Sequence, residues 1–408
     1  MMRPLAPPSA ETKPGYWQLV DAGEPFRLLF PLGAAIGIVG VLLWPLYVWK
    51  VTSVYPGPFH ARIMIEGFLT AFVIGFLGTA LPRLMDAPGM RCPETIAFAT
   101  AVTAIAALHA TARTWTGDLF FLLTMLALIV TLGRRALWHR QDVPPPGFVL
   151  VMLGLGCAVS GTATQLIADP MPRALPEGMA PLGRLLLLQG YLLFPTMGIG
   201  AFLLPRFFGL PAPHEFPESR SLPPGWIPRA AFAFGCGTLV LAGFVAETAG
   251  FPHWGNAFKA AGVVLYFLRE TPVFHAGCGG GSLGLGLRIA LLSIPLAFGL
   301  MALWPDRTPS FLHLLYISGF SLLTLMVASR VVLGHGGQSE RQQATLKPVI
   351  AILVLVMAAM VTRVTADWLP ETRMLHYAYA ALSWAAATAV WLAFVRRSLK
   401  SPPNASKS

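Results

Sequence analysis

Long apolar runs recur along the whole chain, and they constrain its fold more than any other feature. A helix of roughly 20 apolar residues crosses a hydrocarbon core of about 30 Å. Lipid offers no hydrogen bonds, so each spanning segment must satisfy its own backbone groups as a helix. The runs lie at 28–49, 62–82, 93–112, 118–135, 147–168, 185–205, 228–248, 255–270, 286–304, 310–333, 347–365 and 374–395. The sequence therefore predicts an all-α, polytopic integral membrane protein with about twelve transmembrane helices. The lipid bilayer is its expected partner.

Charge is scarce and unevenly placed. Only 12% of residues are charged, whereas soluble domains carry about 25%. The net charge of +11 comes from basic residues in short loops, which indicates membrane topology rather than a nucleic-acid partner. With twelve spans, 20 of the 29 Lys and Arg residues fall on the side of both termini. We therefore expect a cytoplasmic segment at 1–27, a membrane domain at 28–396 and a cytoplasmic tail at 397–408.

The cysteines exclude two common kinds of metal or cofactor site. Cys92, Cys157, Cys236 and Cys278 form no CxxC or CxxCH motif. Covalent haem attachment and a zinc knuckle are therefore not expected. A haem in this chain would be of the b type, which needs no cysteine.

An internal repeat relates two of the spans. Residues 66–88 and 189–211 align without gaps, and seven of 23 positions are identical, among them Pro82-Arg83 and Pro205-Arg206. Span ten contains a fainter echo at 318–320. The spacing of four spans predicts a pseudo-threefold array of four-helix units. The alternative is that two helices end in the same way without a structural repeat. Glycine would then allow close helix packing, and Pro-Arg would mark the point where each helix leaves the membrane.

Histidines at the span ends are the main candidates for cofactor chemistry. His60 opens span two and His313 opens span ten, so both lie at a similar depth. Two imidazoles on neighbouring helices can hold one haem iron. Met64, His109 and His376 are candidate copper ligands, because thioether and imidazole bind copper. For each of these side chains taken singly, a core or interfacial role without a metal is the favoured alternative.

A second candidate site ends span ten, in the segment 330–338, RVVLGHGGQ. Arg330 can neutralise a propionate or another anion. Gly334 and its neighbours allow a tight turn that exposes the His335 ring. The structural alternative is a glycine-capped helix end with a snorkelling arginine.

These motifs resemble those of the NnrS family, haem- and copper-containing membrane proteins of bacterial nitric-oxide metabolism. RVVLGHGGQ is similar to the family's R-x-x-L-G-H-T-G-R. The segment from His60 to Pro82 resembles H-x-H-E-M-x-x-G-F … G-F-L-x-T-A-x-P, and His313 with Gly319 resembles H-A-L-x-x-G-A. The resemblance implies haem b, copper, a nitric-oxide ligand, an electron donor and a bacterial inner membrane. The chain departs from the second motif at Arg62 and Ile63, where the family has His and Glu.

The resemblance thus implies a haem protein that supports nitric-oxide tolerance or sensing. No residue set defines a reaction, so enzyme status stays open. A secondary transporter is the main alternative, favoured by the repeat and by Pro195 inside span six. Carboxylates in the middle of spans are scarce apart from Glu66, and that scarcity disfavours proton-coupled transport. A structural or assembly factor without cofactor is the third hypothesis.

Overall fold

Twelve long helices make up most of the protein that the computed structural model describes, namely residues 14–212, 214–271 and 279–402. His275 and Cys278 lie outside these residues. The helices are α1 (Phe26–Val48), α2 (Gly57–Leu84), α3 (Cys92–Ala110), α4 (Thr114–His139), α5 (Phe148–Ala168), α6 (Met179–Phe207), α7 (Trp226–Thr248), α8 (Pro252–Glu270), α9 (Gly281–Leu303), α10 (Pro305–His335), α11 (Lys347–Trp368) and α12 (Arg373–Val395). A short helix, Tyr16–Asp21, precedes α1, and single turns follow α10 and α12 at Ser339–Gln343 and Ser398–Lys400. No strand occurs within the described ranges.

Eleven of these described helices are long and apolar enough to cross a membrane, judged by length and composition. The prediction of an all-α, polytopic membrane protein is confirmed. The segment expected as the eighth span is α8, a continuous helix of 19 residues that does not belong to these eleven. Lys259, Arg269 and Glu270 make α8 the most polar of the twelve. It nevertheless packs between α7 and α9 as the other long helices pack between their neighbours.

The helices form three four-helix units, α1–α4, α5–α8 and α9–α12. In every unit the first helix packs against the second and third, and the fourth packs against the second and third. The second and third helices also contact each other in every unit. Consecutive units join through α4 with α5 and α8 with α9, and α12 packs on α1 to close the ring. The pseudo-threefold arrangement predicted from the repeat is therefore observed.

The second helix of each unit is interrupted at the same place. A π-helical segment occupies Ile63–Leu69 in α2, Leu186–Gly190 in α6 and Leu314–Ser321 in α10. These segments coincide when the chain is aligned by the repeat. π-Helical turns inside α-helices are rare and concentrate at functional sites.

The three interrupted helices also line a central cavity of about 120 Å³. Among the described residues, its wall comes from α2, α6 and α10, with Phe30 of α1 in addition. The described wall is apolar apart from the hydroxyl groups of Thr196 and Thr324.

Candidate functional site

Buried ionisable side chains gather at both ends of the helix bundle. One end, here called the His60 end, carries the starts of the even-numbered helices and the ends of the odd-numbered ones. The opposite end is called the His335 end. Charged groups are costly inside a membrane and mark functional sites more often than chance.

The site around His60 and His313 presents two imidazoles in a defined tautomer. The Nδ1 atom of His60 lies 3.0 Å from the carbonyl oxygen of Gly40 in α1. The Nδ1 atom of His313 lies 2.7 Å from the carbonyl oxygen of Pro309. A carbonyl only accepts, so Nδ1 carries the proton and donates in both rings. Each Nε2 therefore holds a lone pair, and neither has a hydrogen-bond partner among the described residues.

A buried arginine and an aromatic wall complete this His60 site. Arg363 lies near the end of α11, at the same end of the bundle as the two imidazoles. The Arg363 guanidinium stacks 3.9 Å from the centre of the Tyr377 ring. One of its nitrogens, Nη1, lies 3.6 Å from a carboxylate oxygen of Asp367 and makes no hydrogen bond within the described ranges. Trp44 contacts the rings of His60 and Tyr377.

The three candidate copper ligands lie in different surroundings. Met64 is next to the His60 site, since a Cβ built on Gly40 would lie 3.1 Å from its sulfur. His376 lies near the start of α12, and its buried Nδ1 has no hydrogen-bond partner in the described part of the chain. His109 belongs to the first unit. Among the described residues, no hydrogen bond, ion pair or ring contact joins Met64, His109 and His376 to one another.

His109 instead joins two carboxylates in a group that we call the Glu66 cluster, composed of Glu66, His109, Asp118 and Arg62. The Nε2 atom of His109 lies 2.9 Å from a Glu66 oxygen and 3.8 Å from an Asp118 oxygen. The Arg62 guanidinium donates two hydrogen bonds to Asp118, at 2.8 and 3.0 Å, and one to Asp169 at 3.0 Å. Arg62 is thus an ion-pair partner at a position where the resembled motif has histidine.

His335 lies in a third group, the Glu24 cluster of Glu24, Arg27, Arg83 and His335. Its Nδ1 is 2.7 Å from a Glu24 oxygen, and the Arg83 guanidinium is 2.7 Å from its Nε2. Both ring nitrogens are therefore occupied by protein groups. Burial alone would raise the pKa of Glu24, but His335, Arg27 and Arg83 outweigh it and lower that pKa to about 2.

Arg27 connects this cluster to the turn after α12. It is fully buried, and its Nε lies 2.5 Å from Glu24. Its Nη1 donates to the carbonyl oxygens of Leu399 at 2.6 Å and Ser401 at 3.1 Å. The Glu24 cluster therefore fastens α1, α2, α10 and the residues after α12 to one another.

Arg330 and Gly334 contact neighbouring residues at the same end of α10. Arg330 is 2% exposed, and its guanidinium lies 4.8 Å from the centre of the Phe207 ring in α6. Gln342 donates a hydrogen bond of 2.9 Å to the carbonyl oxygen of Arg330. The same Gln342 amide would be 3.1 Å from a Cβ at Gly334, so the glycine permits its close approach.

Sequence reasoning passed over several buried charges that the structure brings together. Glu24, Arg27, Asp118 and Arg363 sit within or just beside spans, and that placement was the available signal. Their partners come from other helices, so spacing along the chain does not reveal the pairs. Arg27 and Leu399 are separated by 372 positions.

The fold and these sites define a class: an integral membrane protein of three four-helix units with ionisable clusters at both ends. The family model described as NnrS protein matches residues 22–402. The chain therefore belongs to the NnrS family, and the family's general role in the nitric-oxide response applies to it. No curated protein matches the chain.

Proposed function

We propose that this protein holds b-type haem between His60 and His313, and that it supports nitric-oxide tolerance or sensing through that haem. One observation carries the proposal. The imidazoles of His60 in α2 and His313 in α10 each donate a hydrogen bond from Nδ1–H to a backbone carbonyl oxygen. In both rings Nε2 has no hydrogen-bond partner among the described residues. Metal-bound histidines use this arrangement, because the second hydrogen bond fixes the ring and makes the ligating nitrogen more basic.

The surrounding residues suit an anionic porphyrin. Arg363 is buried at the same end of the bundle, and its Nη1 makes no hydrogen bond among the described residues, with Asp367 3.6 Å away. A guanidinium of this kind can pair with a propionate carboxylate. Trp44 and Tyr377 supply aromatic faces beside His60 and Arg363. His60 and His313 would hold the haem, which would supply one-electron chemistry or gas binding when bound.

The absorption spectrum of the purified protein tests the proposal. The wild type should show a Soret band with the α and β bands of low-spin, bis-histidine haem. His60→Ala and His313→Ala should each remove or convert the low-spin signal, because one axial ligand is lost. His335→Ala should keep the signal, since its ring lies at the opposite end of α10. A colourless wild type, or low-spin spectra unchanged in both His60→Ala and His313→Ala, would refute haem at this site.

Copper at the second motif is not part of this proposal. The two positions where the resembled family has His and Glu are Arg62 and Ile63. Arg62 is held by two aspartates, and Ile63 is a core residue with 1% exposure. Met64 remains beside His60, but a single thioether is a weak basis for a metal site.

A secondary transporter remains the second candidate, because three interrupted helices surround a central cavity. The lining of that cavity is apolar except for Thr196 and Thr324, and it includes no charged side chain among the described residues. Such a wall suits no ion. A transporter would be colourless as purified, so the same spectrum separates the two functions.

We also propose that the protein lies in a bacterial inner membrane with the His335 end in the cytoplasm, as the basic residues indicate. Residues 1–27 and 397–408 would then be cytoplasmic. A cysteine replacing Gln141, which is exposed at the His335 end, should resist an impermeant thiol reagent in intact cells. A cysteine replacing Val51, 71% exposed at the other end, should react. The reverse pattern would overturn this orientation.

A further inference from the structure

We infer that the Glu66 cluster is a binding site for a divalent cation of the zinc type, separate from the His60 site. Glu66, His109 and Asp118 each offer one ligand atom, and these atoms lie within 4.8 Å of one another. All three side chains are buried. They come from three helices of the first unit, so the fold assembles the group before any ion arrives.

The distances suit a tetrahedral ion. Zinc bonds of about 2.0–2.2 Å to nitrogen and oxygen place neighbouring ligand atoms about 3.3 Å apart. The His109 Nε2 atom lies 2.9 Å from Glu66 and 3.8 Å from Asp118, and these values bracket that separation. The Glu66 and Asp118 ligand atoms lie within 4.8 Å of each other. An approach of at most about 1.5 Å, shared between the two carboxylates, would therefore complete three of the four zinc ligands.

The cluster contains atoms whose bonding needs are unmet. Glu66 Oε1 and His109 Nδ1 are buried, and neither has a hydrogen-bond partner among the described residues. A buried polar atom without a partner costs about 1–3 kcal/mol, and more when it is charged. A cation bound to the Glu66 carboxylate would remove that penalty for the oxygen.

The charges also leave room for a divalent cation. The carboxylates of Glu66, Asp118 and Asp169 face a single cationic side chain, Arg62, and imidazole is neutral when it binds a metal. Asp169 is partly exposed and solvated, so the two buried carboxylates, Glu66 and Asp118, share one arginine and at least one negative charge lacks a cationic partner. A bound divalent cation would supply that partner, whereas the alternative is protonation of the carboxylates.

The ligand set and its packing favour zinc over copper(I). One imidazole and two carboxylates suit Zn²⁺, while copper(I) prefers sulfur. Gly117 packs directly on the His109 ring, because a Cβ there would lie 2.5 Å from Cε1 and 2.8 Å from Nε2. Arg62 and Asp169 are partly exposed at the His60 end and mark the side from which an ion can enter.

Equilibrium binding of ⁶⁵Zn²⁺ tests this inference on the detergent-purified full chain after treatment with a chelator. The wild type should bind one zinc ion per chain, with affinity that falls in acid because the ligands must be deprotonated. Glu66→Gln and Asp118→Asn should each weaken binding at least about tenfold. Gly117→Ala should weaken it less, by displacing the His109 ring.

Two controls separate this site from the haem proposal and from misfolding. His60→Ala should lose the haem signal and keep the zinc ion. Gel filtration and thermal unfolding should show that Glu66→Gln and Asp118→Asn remain folded. Absence of saturable zinc in the wild type, wild-type affinity in both folded carboxylate variants, or saturable uptake of copper(I) alone would overturn the inference.

Discussion

The histidines at the two ends of α10 differ in how their ring nitrogens are hydrogen-bonded. His313 donates Nδ1 to a carbonyl of its own helix and keeps Nε2 free of protein partners in the described part of the chain. His335 has both nitrogens engaged, one by Glu24 and one by Arg83. The first ring is available to a metal ion, and the second ring is part of a structural ion-pair network.

This difference shows that motif specificity and ligand availability are separate properties. His335 belongs to RVVLGHGGQ, the most specific motif in the chain, yet its contacts fasten helices. His313 belongs to a weaker motif and has the free nitrogen. A specific motif can therefore mark a demanding structural junction as readily as a site of chemistry.

Among variants that test this comparison, Arg27→Ala should cause the largest loss of folded protein. Removal of a fully buried guanidinium leaves Glu24 without its nearest cation and removes hydrogen bonds to four carbonyl oxygens, the shortest to Leu399 and Ser401. Breaking a buried ion pair in this way costs about 3–5 kcal/mol. We expect most of the folded protein to be lost, as measured by gel filtration of membrane extracts. Wild-type yield for Arg27→Ala would argue against the Glu24 cluster as a structural junction.

Glu24→Gln should have the next largest effect, and it should depend on pH. The folded pKa of Glu24 is lowered from 4.5 to about 2. A lowered pKa stabilises the fold above the unfolded pKa, and the benefit disappears as pH falls through the folded value. The variant should lose about 3 kcal/mol of unfolding free energy at pH 7, and the loss should shrink between pH 4.5 and pH 2. Thermal unfolding in detergent at several pH values measures this, and a difference independent of pH would contradict it.

His335→Ala and His313→Ala test the comparison directly. We expect His335→Ala to cost about 2 kcal/mol of stability, because Glu24 and Arg83 each lose a hydrogen-bond partner. His313→Ala should leave the melting temperature of haem-free protein nearly unchanged, since its bond is confined to one helix. Equal losses in the two variants would show that both rings are structural.

The smallest difference is expected between Arg83→Ala and Arg206→Ala, two positions that the repeat makes equivalent. Arg83 bridges Glu24 and His335, whereas Arg206 pairs with Glu215, which is more than half exposed. Exposed pairs contribute about 0–1 kcal/mol. Arg83→Ala should therefore lower the melting temperature more than Arg206→Ala. Similar losses would favour a shared anchoring role at the membrane surface.

Periodicity and hydropathy predicted most of the fold. The spans expected at 62–82, 185–205 and 310–333 are helices, but each begins earlier in the structure, at Gly57, Met179 and Pro305. Those first turns contain proline and polar residues, which hydropathy places outside a span.

The sites were less predictable from sequence. His60 and His313 were paired by depth, and they lie near the starts of α2 and α10, two helices that contact each other. Their pairing around one iron stays a prediction. The Glu66 cluster depends on how α2, α3 and α4 rotate about their axes. Rotation is decided by packing, and the distance between residues along the chain does not encode it.

The closure of the ring by α12 on α1 has a consequence for biosynthesis. A ribosome completes α1 long before it begins α12, so the first helix enters the membrane without its final neighbour. During that interval Arg27 lacks the carbonyl oxygens of Leu399 and Ser401 that later surround it. We expect the insertion machinery or a chaperone to bind this end of α1, and so keep Arg27 out of contact with lipid, until synthesis has passed Ser401. The slowest step of assembly would then be the packing of α12 against α1, the two long helices that lie farthest apart along the chain.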